Sequence, residues 1–387
     1  LCRLGMFAVD DSSANPLDCS WGKMPMATEQ TESPRMSEGV DRYPPYPASV
    51  VDQFLVWVDR LPLPTWFFYL MLGAALIIIF NSLAWIDDSL QFPTFDMYRS
   101  SVPVYPVASL ALVHYLNGVA RRALASFRPA LSAGDAEYGR LEYMLVTLPR
   151  RGIWATLVLS LVFTAVYIFF TPYLIDLFSR SLWLALLESI VYAFAFGMIA
   201  VFLYHTIRQL HLVSRIHATA TNVNLFRLTP LNAFSGLTAQ TGLGLLLMNY
   251  FGVLTDPATF ENLALITLTV GASLVAILCF ILPLRGMHDQ IVAEKNRLRA
   301  QCTSRLEATI EKLYARADSQ DLAGIYGLKQ LLTSLVTTRE IIEKIPTWPW
   351  EPGTLMTFVS VFLLPLVIRI IVGIIGQLGL FGGLLAG

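Results

Sequence analysis

Apolar stretches of about 20 residues, each with at most one charged side chain, recur along this chain. A helix of that length crosses the hydrocarbon core of a bilayer with all its backbone polar groups satisfied internally. Charged residues make up 14% of the chain, whereas about 25% is usual in soluble domains. The sequence therefore predicts an all-α, polytopic integral membrane bundle. It excludes a soluble enzyme, a nucleic-acid binder and a secreted disulfide scaffold.

Six of these stretches are long enough to be membrane spans. Their approximate ranges are 65–85, 153–174, 182–205, 231–254, 263–284 and 355–375. A further apolar stretch, 104–120, is shorter and contains Pro106, His114 and Asn117. It is either an interfacial or packed helix or a further span. We therefore expect six transmembrane helices, with seven as the alternative.

The composition changes along the chain and divides it into four regions. Residues 1–62 form a polar tail without an apolar period, which is predicted to be disordered. Residues 63–284 form the membrane domain, with a cytoplasmic or interfacial helical insert at 104–150. Residues 285–346 are predicted to form a cytoplasmic antiparallel helical hairpin. Residues 347–387 contain the last span and a Gly-rich C-terminus.

The basic residues indicate which side of the membrane each loop faces. Most of the 27 basic residues lie between the first and second, third and fourth, and fifth and sixth spans. Cytoplasmic loops carry an excess of Lys and Arg. We therefore expect a multi-pass protein of the cell membrane with these loops and the hairpin in the cytoplasm and the C-terminus outside. Six spans place the N-terminal tail outside too, whereas a seventh span over 104–120 places it inside.

Two apolar stripes predict the hairpin. The first recurs at helical spacing and comprises Ile291, Leu298, Cys302, Leu306, Ile310 and Leu313. Turn residues Asp-Ser-Gln-Asp follow at 318–321, and then a second, heptad-like stripe. The second stripe comprises Ile325, Leu328, Leu332, Leu335 and Ile342. A free-standing two-helix arm rarely buries both apolar faces unaided. The second stripe is therefore our candidate for docking a cytoplasmic protein or a second copy of the chain.

Two charged residues fall inside predicted spans, Glu188 in the third and Arg369 in the last. A charge at mid-bilayer costs about 2.5–3.5 kcal/mol even on the most lenient scale, so partners are expected. The predicted topology places both residues at a similar depth in the outer third of the membrane. We therefore hypothesise that Glu188 and Arg369 form an intramembrane ion pair. Alternatively, each side chain reaches the outer interface separately.

The fourth span is interrupted by polar residues that could line a pathway. They are Asn232, Gln240, Thr241 and Asn249. Alternatively, these residues bond neighbouring helices, as such side chains do inside membrane bundles.

His205, His211 and His217 are spaced by six residues, so they point to three faces of a helix and do not form one metal site. The sequence contains no catalytic or nucleotide-binding motif. We therefore predict no enzyme activity, no metal and no cofactor.

Three motifs flank and interrupt the predicted hairpin. Leu-Pro-Leu-Arg-Gly-Met-His (282–288) leaves a span, Glu294 and Lys295 follow, and Thr-Trp-Pro-Trp (347–350) precedes the last span. On these residues the stretch from Leu282 to Ile370, less than a quarter of the chain, resembles uncharacterised prokaryotic multi-pass membrane proteins. The resemblance implies a hairpin ahead of the final span, and it implies no activity.

These features favour a function without catalysis. The leading expectation is a membrane scaffold or signal-coupling protein that acts through its hairpin. Its expected partners are the lipid bilayer and either a second copy or a cytoplasmic protein. The alternative is a channel or transporter, which the polar fourth span, Glu188, Arg369 and Pro365 favour. We find no inverted repeat and no paired broken helices in support of that alternative.

Overall fold

The computed structural model describes residues 45–87, 90–131, 134–218, 224–226, 228–255, 263–319, 322–350 and 353–363. In these ranges the chain is helical and has no strand, apart from an isolated bridge between Ala48 and Pro149. The helices are α1 (Val50–Asp59), α2 (Thr65–Ile86), α3 (Met97–Ser101), α4 (Val104–Phe127), α5 (Asp135–Val146), α6 (Arg150–Phe170), α7 (Pro172–Arg180), α8 (Leu182–Ala218), α9 (Leu228–Leu231), α10 (Ser235–Thr255), α11 (Leu263–Ile281), α12 (Arg285–Asp318), α13 (Leu322–Lys344) and α14 (Gly353–Leu363). The all-α prediction is confirmed.

Six described helical segments are long and apolar enough to cross a membrane, which confirms the membrane class. They are Thr65–Ile86, Met97–Ala130, Arg150–Phe170, Leu182–Ala218, Thr229–Thr255 and Thr269–Asp318. Five of them match predicted spans, and Met97–Ala130 covers the stretch that had two interpretations. The predicted last span, 355–375, is described only as far as residue 363, where α14 is a shorter apolar helix. Its remaining residues lie outside the described ranges.

Helix α4 lies at the centre of the bundle, although it is the least hydrophobic of the six segments together with its short neighbour α3. It packs against α2, α8 and α10, and 56% of its membrane-length window is buried, the largest share of the six. Gly244 of α10 lies against Leu112 of α4 and Phe202 of α8. A helix that meets protein on several sides can carry polar residues such as Asn117, which a lipid-facing helix cannot.

Contacts along α4 place the neighbouring helices at matched depths. Glu188 of α8 meets Arg99 of α3, and His205, lower on α8, meets Asn117 of α4. The two helices therefore run in the same direction. Helix α2 runs in the opposite direction, because its residues Tyr69 and Asn81 bond His114 and Ser100 in reverse order.

Helix α8 and the α11–α12 unit extend well beyond a membrane. Helix α8 has 37 residues and is about 55 Å long at 1.5 Å per residue, whereas the hydrocarbon core is about 30 Å thick. Helix α11 continues into α12 through one 3₁₀ turn, Leu282–Leu284. The largest cluster of buried side chains runs from the spans into this extension, where Met287 and Ile291 of α12 pack with Ile216 of α8.

Helices α12 and α13 pack side by side. The ammonium of Lys295 donates to the backbone carbonyls of Glu343 and Ile345, both at 2.8 Å. Further along α12, the thiol of Cys302 lies 3.4 Å from the carbonyl of Leu335. The two helices are therefore antiparallel.

Helix α1 lies inside the region predicted to be a disordered tail, so that prediction extends too far toward the bundle. Ser49 begins the helix with a capping box: its hydroxyl accepts from the Asp52 backbone N–H, and the Asp52 carboxylate accepts from the Ser49 N–H. Val51, Leu55 and Val58 are buried against the bundle. This short amphipathic helix was not recognised because the residues before it are polar. Residues 1–44 lie outside the described ranges.

Candidate functional site

A buried ion pair joins Arg99 of α3 to Glu188 of α8. The side chain of Glu188 is fully buried and that of Arg99 is 8% exposed. The guanidinium lies 5.6 Å from the centre of the Phe80 ring. Asp96 accepts the Arg99 backbone N–H at 3.1 Å and so fixes the start of α3. The structure thus gives Glu188 a cationic partner, as its position in a span requires.

The predicted partner of Glu188, Arg369, lies outside the described residues, so the Glu188–Arg369 pairing stays a prediction. Sequence reasoning missed Arg99 because it follows the first span among loop residues. The signal available in the sequence was the apolar stretch 104–120: if it spans the membrane, Arg99 precedes it at the same side of the membrane as Glu188. Reciprocal hydrogen bonds between Asn81 and Ser100, at 2.9 and 3.0 Å, hold α3 against α2 at this level.

A second polar level lies deeper in the bundle, between α4 and α8. The His205 imidazole donates from Nε2 to the Asn117 side-chain carbonyl at 2.9 Å. One turn further, the Gln209 amide donates to the Leu145 carbonyl at 3.2 Å. Among the described residues, Nδ1 of His205, the Thr206 hydroxyl and Oε1 of Gln209 are buried without a hydrogen-bond partner. Such acceptors suit a small polar ligand or water.

The four predicted pathway residues have different environments. Asn232 and Thr241 take part in bonds within their own segment, through the Asn232 carbonyl to Ser235 and the Thr241 hydroxyl to the Leu237 carbonyl. Asn249 donates to α11, at 3.2 Å to the Thr269 carbonyl and 3.3 Å to the Ser273 hydroxyl. The side-chain carbonyl of Gln240 is buried without a described partner. Asn249 therefore joins two helices, while Gln240 keeps the polar group a pathway would use.

The predicted docking stripe lies on the side of α13 that is less exposed. Ile342 is buried, and the other four members, Ile325, Leu328, Leu332 and Leu335, are half-buried. Their neighbours in sequence on α13 are mostly exposed. On α12 the less exposed positions include Leu298, Cys302, Leu306, Ile310 and Leu313, which form the other predicted stripe. The contacts between α12 and α13 thus use both stripes.

The segment before α2 forms a half-buried polar cluster with α8 and the end of α5, which sequence reasoning missed. The Arg208 guanidinium donates to the carbonyls of Met144 and Thr147 at 2.7 and 2.8 Å, and to the Tyr46 hydroxyl. The Tyr46 hydroxyl in turn donates to the Thr147 carbonyl at 2.9 Å. Burial raises the pKa of Tyr46, so its proton stays in place for this bond.

The carboxylate of Asp52 completes this cluster. Its Oδ2 accepts from the Ser49 hydroxyl at 2.7 Å and from the Leu148 backbone N–H at 3.0 Å. Burial raises the pKa of Asp52 above its ordinary value, although the hydrogen bonds from Ser49 and Leu148 and the charge of Arg208 oppose the shift. One carboxylate therefore caps α1 and ties it to the start of α6.

We expect Asp52→Ala to lower the free energy of unfolding by about 1–3 kcal/mol, because the buried Leu148 N–H loses its acceptor. Asp52→Asn keeps an acceptor for the Leu148 N–H and should avoid this loss. A carboxyl whose pKa is raised by folding binds its proton more tightly in the folded state. Its stabilising contribution is therefore complete below its ordinary pKa of 3.8 and is lost as the pH rises through the raised value.

Thermal unfolding of the purified protein from pH 4 to pH 8 measures this effect. The difference between the wild type and Asp52→Asn isolates the carboxyl from other titrating groups, and the wild type should lose stability relative to the amide variant as the pH rises. A difference in stability between the two proteins that does not change with pH would contradict a raised pKa of Asp52.

Hydrogen bonds fasten the extension of α8 to the junction of α11 and α12. His217 donates from Nδ1 to the Pro283 carbonyl at 3.0 Å. Gln290 of α12 donates to the His217 carbonyl at 2.8 Å. The His217 ring also packs edge-on against Phe127 and Phe234, so α4 and the segment before α10 meet at the same point. This junction links four parts of the bundle.

In comparisons with known proteins, no family model, no curated protein and no solved structure matches this chain. The resemblance of residues 282–370 to prokaryotic multi-pass proteins therefore stays a prediction. Among the described residues, no group of three or more His, Cys, Asp or Glu side chains could hold a metal ion.

Proposed function

We propose that this protein is a scaffold or signal-coupling protein of the cell membrane that acts through α12 and α13, a cytoplasmic hairpin. The observation that carries the proposal is the helical continuity of α11 and α12 across the single turn Leu282–Leu284. A displacement or rotation of the span α11 is passed directly to α12, because no loop separates them. The same continuity lets a partner bound to the hairpin act back on the spans.

A column of aromatic rings supports this coupling. His288 of α12 stacks on Trp348, with ring centres 4.1 Å apart, and Trp348 stacks on Trp350 at 4.5 Å. The column continues from Trp350 to Phe280 of α11 at 5.6 Å, and from Phe280 to Phe358 of α14 at 4.7 Å. Rings packed in this way resist independent movement of their helices. The base of the hairpin and the two helices α11 and α14 are thus connected by side chains as well as by the backbone.

We further propose seven spans, with Met97–Ala130 as the second and α14 as the start of the seventh. The N-terminal segment supports this topology, since Tyr46 and Asp52 bond Thr147 and Leu148 directly before Arg150 and Arg151. That side carries most of the basic residues, so the positive-inside rule makes it cytoplasmic. The hairpin is then cytoplasmic and the C-terminus outside, as the sequence predicts.

The docking surface that we propose consists of exposed apolar side chains of the hairpin. The stripe through Leu328 and Leu335 is largely used between α12 and α13, whereas Tyr326 is 69% and Leu331 48% exposed. Tyr314 of α12, also exposed, belongs to the same distal part of the hairpin. Aromatic and aliphatic side chains on an otherwise charged arm favour contact with a protein partner.

The test captures the tagged protein from its native membranes in mild detergent and measures its mass and bound proteins. We expect a defined oligomer or complex with the wild type, and its loss with Tyr326→Glu combined with Leu331→Glu. The control variant carries Gln301→Glu and Ser304→Glu, at two exposed polar positions of α12 away from Tyr326 and Leu331. It adds the same charge and should keep the complex.

A monomer without bound protein in the wild type would contradict the scaffold function. So would equal loss of the complex in the test and control variants, because charge alone would then explain it. Charges at Leu328 and Leu335 should instead separate α13 from α12, which is seen as increased proteolysis of the hairpin.

The second candidate is a channel or transporter. It is favoured by buried polar atoms of His205, Gln209 and Gln240 that have no hydrogen-bond partner in the part of the chain that the structure describes. These residues lie on α8 and α10, which both pack against α4. If the wild type is a monomer without partners, ion flux into vesicles that contain the protein becomes the next measurement. Flux that His205→Leu abolishes would support this second function.

A further inference from the structure

Both ends of α1 are attached to the bundle by hydrogen bonds. At its N-terminal end, Ala48 pairs with Pro149 and Asp52 accepts the Leu148 N–H at 3.0 Å. At its C-terminal end, the Asp59 carboxylate accepts from Nε2 of His114 on α4 at 2.9 Å. A helix of ten residues is about 15 Å long, and both of its ends are held.

Both attachments lie close to the start of a span. Pro149 directly precedes α6, whose Gly152 packs under Tyr204 of α8. Tyr204 neighbours His205, which bonds Asn117 of α4, one turn from His114. Tyr69, in the second turn of α2, bonds the other ring nitrogen of His114 at 3.1 Å. Helix α1 therefore crosses the starts of α2 and α6 on the outside of the bundle.

The two sides of α1 differ in their contacts. Val51, Leu55 and Val58 face the bundle and are buried. The opposite side presents Val56 and Trp57, which are 48% and 50% exposed. Exposed apolar side chains of this kind indicate a contact with lipid or with another protein. The surface next to them shows which of the two it is.

The outward side of α1 is continuous with the lipid-facing side of α2. Trp57 packs edge-on against Phe68 of α2, with ring centres 5.9 Å apart. Trp66 and Leu70 follow on the outer surface of α2 and are 68% and 60% exposed. Since α2 is long and apolar enough to cross the membrane, its exposed apolar side faces lipid.

Charged residues at the ends of α1 match the headgroup layer. Arg60 caps the C-terminal end, and Arg150 and Arg151 follow Pro149 at the N-terminal end. All three are exposed. Guanidinium groups pair well with phosphate, and tryptophan is enriched at the headgroup level.

From these contacts we propose that α1 is an interfacial helix that lies at the membrane surface and binds the phospholipids through Val56, Trp57 and the flanking arginines. Its outward side sits at the boundary between headgroups and acyl chains, as in amphipathic helices that lie on a membrane. The helix thereby joins the start of α2 to the start of α6 and keeps both at the depth of the boundary.

The experiment measures the collision of spin labels with oxygen, which concentrates in lipid, and with a water-soluble nickel chelate. Labels are attached at Val56→Cys and Trp57→Cys after the four native cysteines are replaced by serine. The protein is reconstituted into phosphatidylcholine vesicles with and without phosphatidylglycerol. Two control sites bracket the scale: Ile78→Cys on the lipid side of α2 and Tyr314→Cys on the hairpin, 65% and 67% exposed.

We expect the ratio of oxygen to nickel collisions at Val56 and Trp57 to exceed that at Tyr314 severalfold and to approach that at Ile78. A ratio equal to that at Tyr314 would overturn the proposal. Dipolar broadening that disappears on dilution with unlabelled protein would also overturn it, because a second copy would then cover α1.

If the cysteine-free protein does not fold, Trp57→Phe in the native background provides an independent measurement. Brominated phospholipids should quench the fluorescence of the wild type more than that of the variant, and the same quenching in both would reject the proposal. The quenching readout does not involve the hairpin, so the interfacial helix and the scaffold function can fail separately.

Discussion

Replacing Arg99 by leucine is expected to lower the free energy of unfolding by about 3–5 kcal/mol, the usual cost of leaving one partner of a buried ion pair alone. Glu188 is fully buried and the Arg99 side chain is only 8% exposed, so water does not replace the lost partner. The double variant Arg99→Leu, Glu188→Leu should recover most of this loss, because two apolar side chains of similar size often fit such a site at little cost.

Unfolding by sodium dodecyl sulfate in mixed micelles measures these free energies for the wild type, both single variants and the double variant. A coupling energy close to zero between the two positions would contradict the ion pair. The same cycle with Arg369→Leu tests the partner predicted from the sequence. Coupling of Glu188 to Arg99 and not to Arg369 would assign the pair, whereas coupling to both would indicate a shared charge network.

Mean hydropathy was sufficient to find the helices that face lipid. α2, α6 and α11 are apolar on all sides, and their predicted ranges agree closely with the helices observed. The stripes of α12 and α13 were found for a related reason, since a long helix that packs on one side only reveals that side by the spacing of its apolar residues. In both cases the surroundings are the same along the whole helix, so a local sequence pattern is enough to predict the helix.

Local sequence patterns were not sufficient for helices that are surrounded by protein and not by lipid. Helix α4 is central because it packs on α2, α8 and α10, and this allows the polar residues that made the stretch 104–120 ambiguous. Helix α1 was hidden for another reason: its ten residues are too few for a clear period inside a polar tail. Its fold depends on partners about a hundred positions away, such as Leu148.

The candidate site was only partly visible in the sequence for the same reason. Glu188 stood out because a charge in an apolar stretch is conspicuous, but its partner Arg99 lies among loop residues that look unexceptional. Pairing depends on the relative shift between helices, which packing decides. The polar level at Asn117 and His205 likewise joins two helices whose relative shift no local pattern reports.

Gly242 on α10 should be the most sensitive small residue of the described bundle, because α10 and α11 approach each other there. A Cβ atom at this position would lie 2.9 Å from the backbone carbonyl oxygen of Ala276 and 2.7 Å from the Phe358 ring. The ring could turn aside, but the carbonyl is fixed by its own helix. Gly242→Leu is therefore expected to lower the free energy of unfolding by about 3 kcal/mol, at the upper end for overpacked sites.

Gly271 on α11 provides the matched control, since it is exposed and nothing lies within 4 Å of a Cβ atom built there. Gly271→Leu should be neutral or stabilising by up to about 1 kcal/mol, because leucine favours a helix more than glycine does. Unfolding of both variants under the same conditions separates close approach from helix propensity. Equal effects at the two positions would mean that α10 and α11 are not in contact at Gly242, whereas a loss confined to Gly242 identifies the site where the small residue lets the two helices meet.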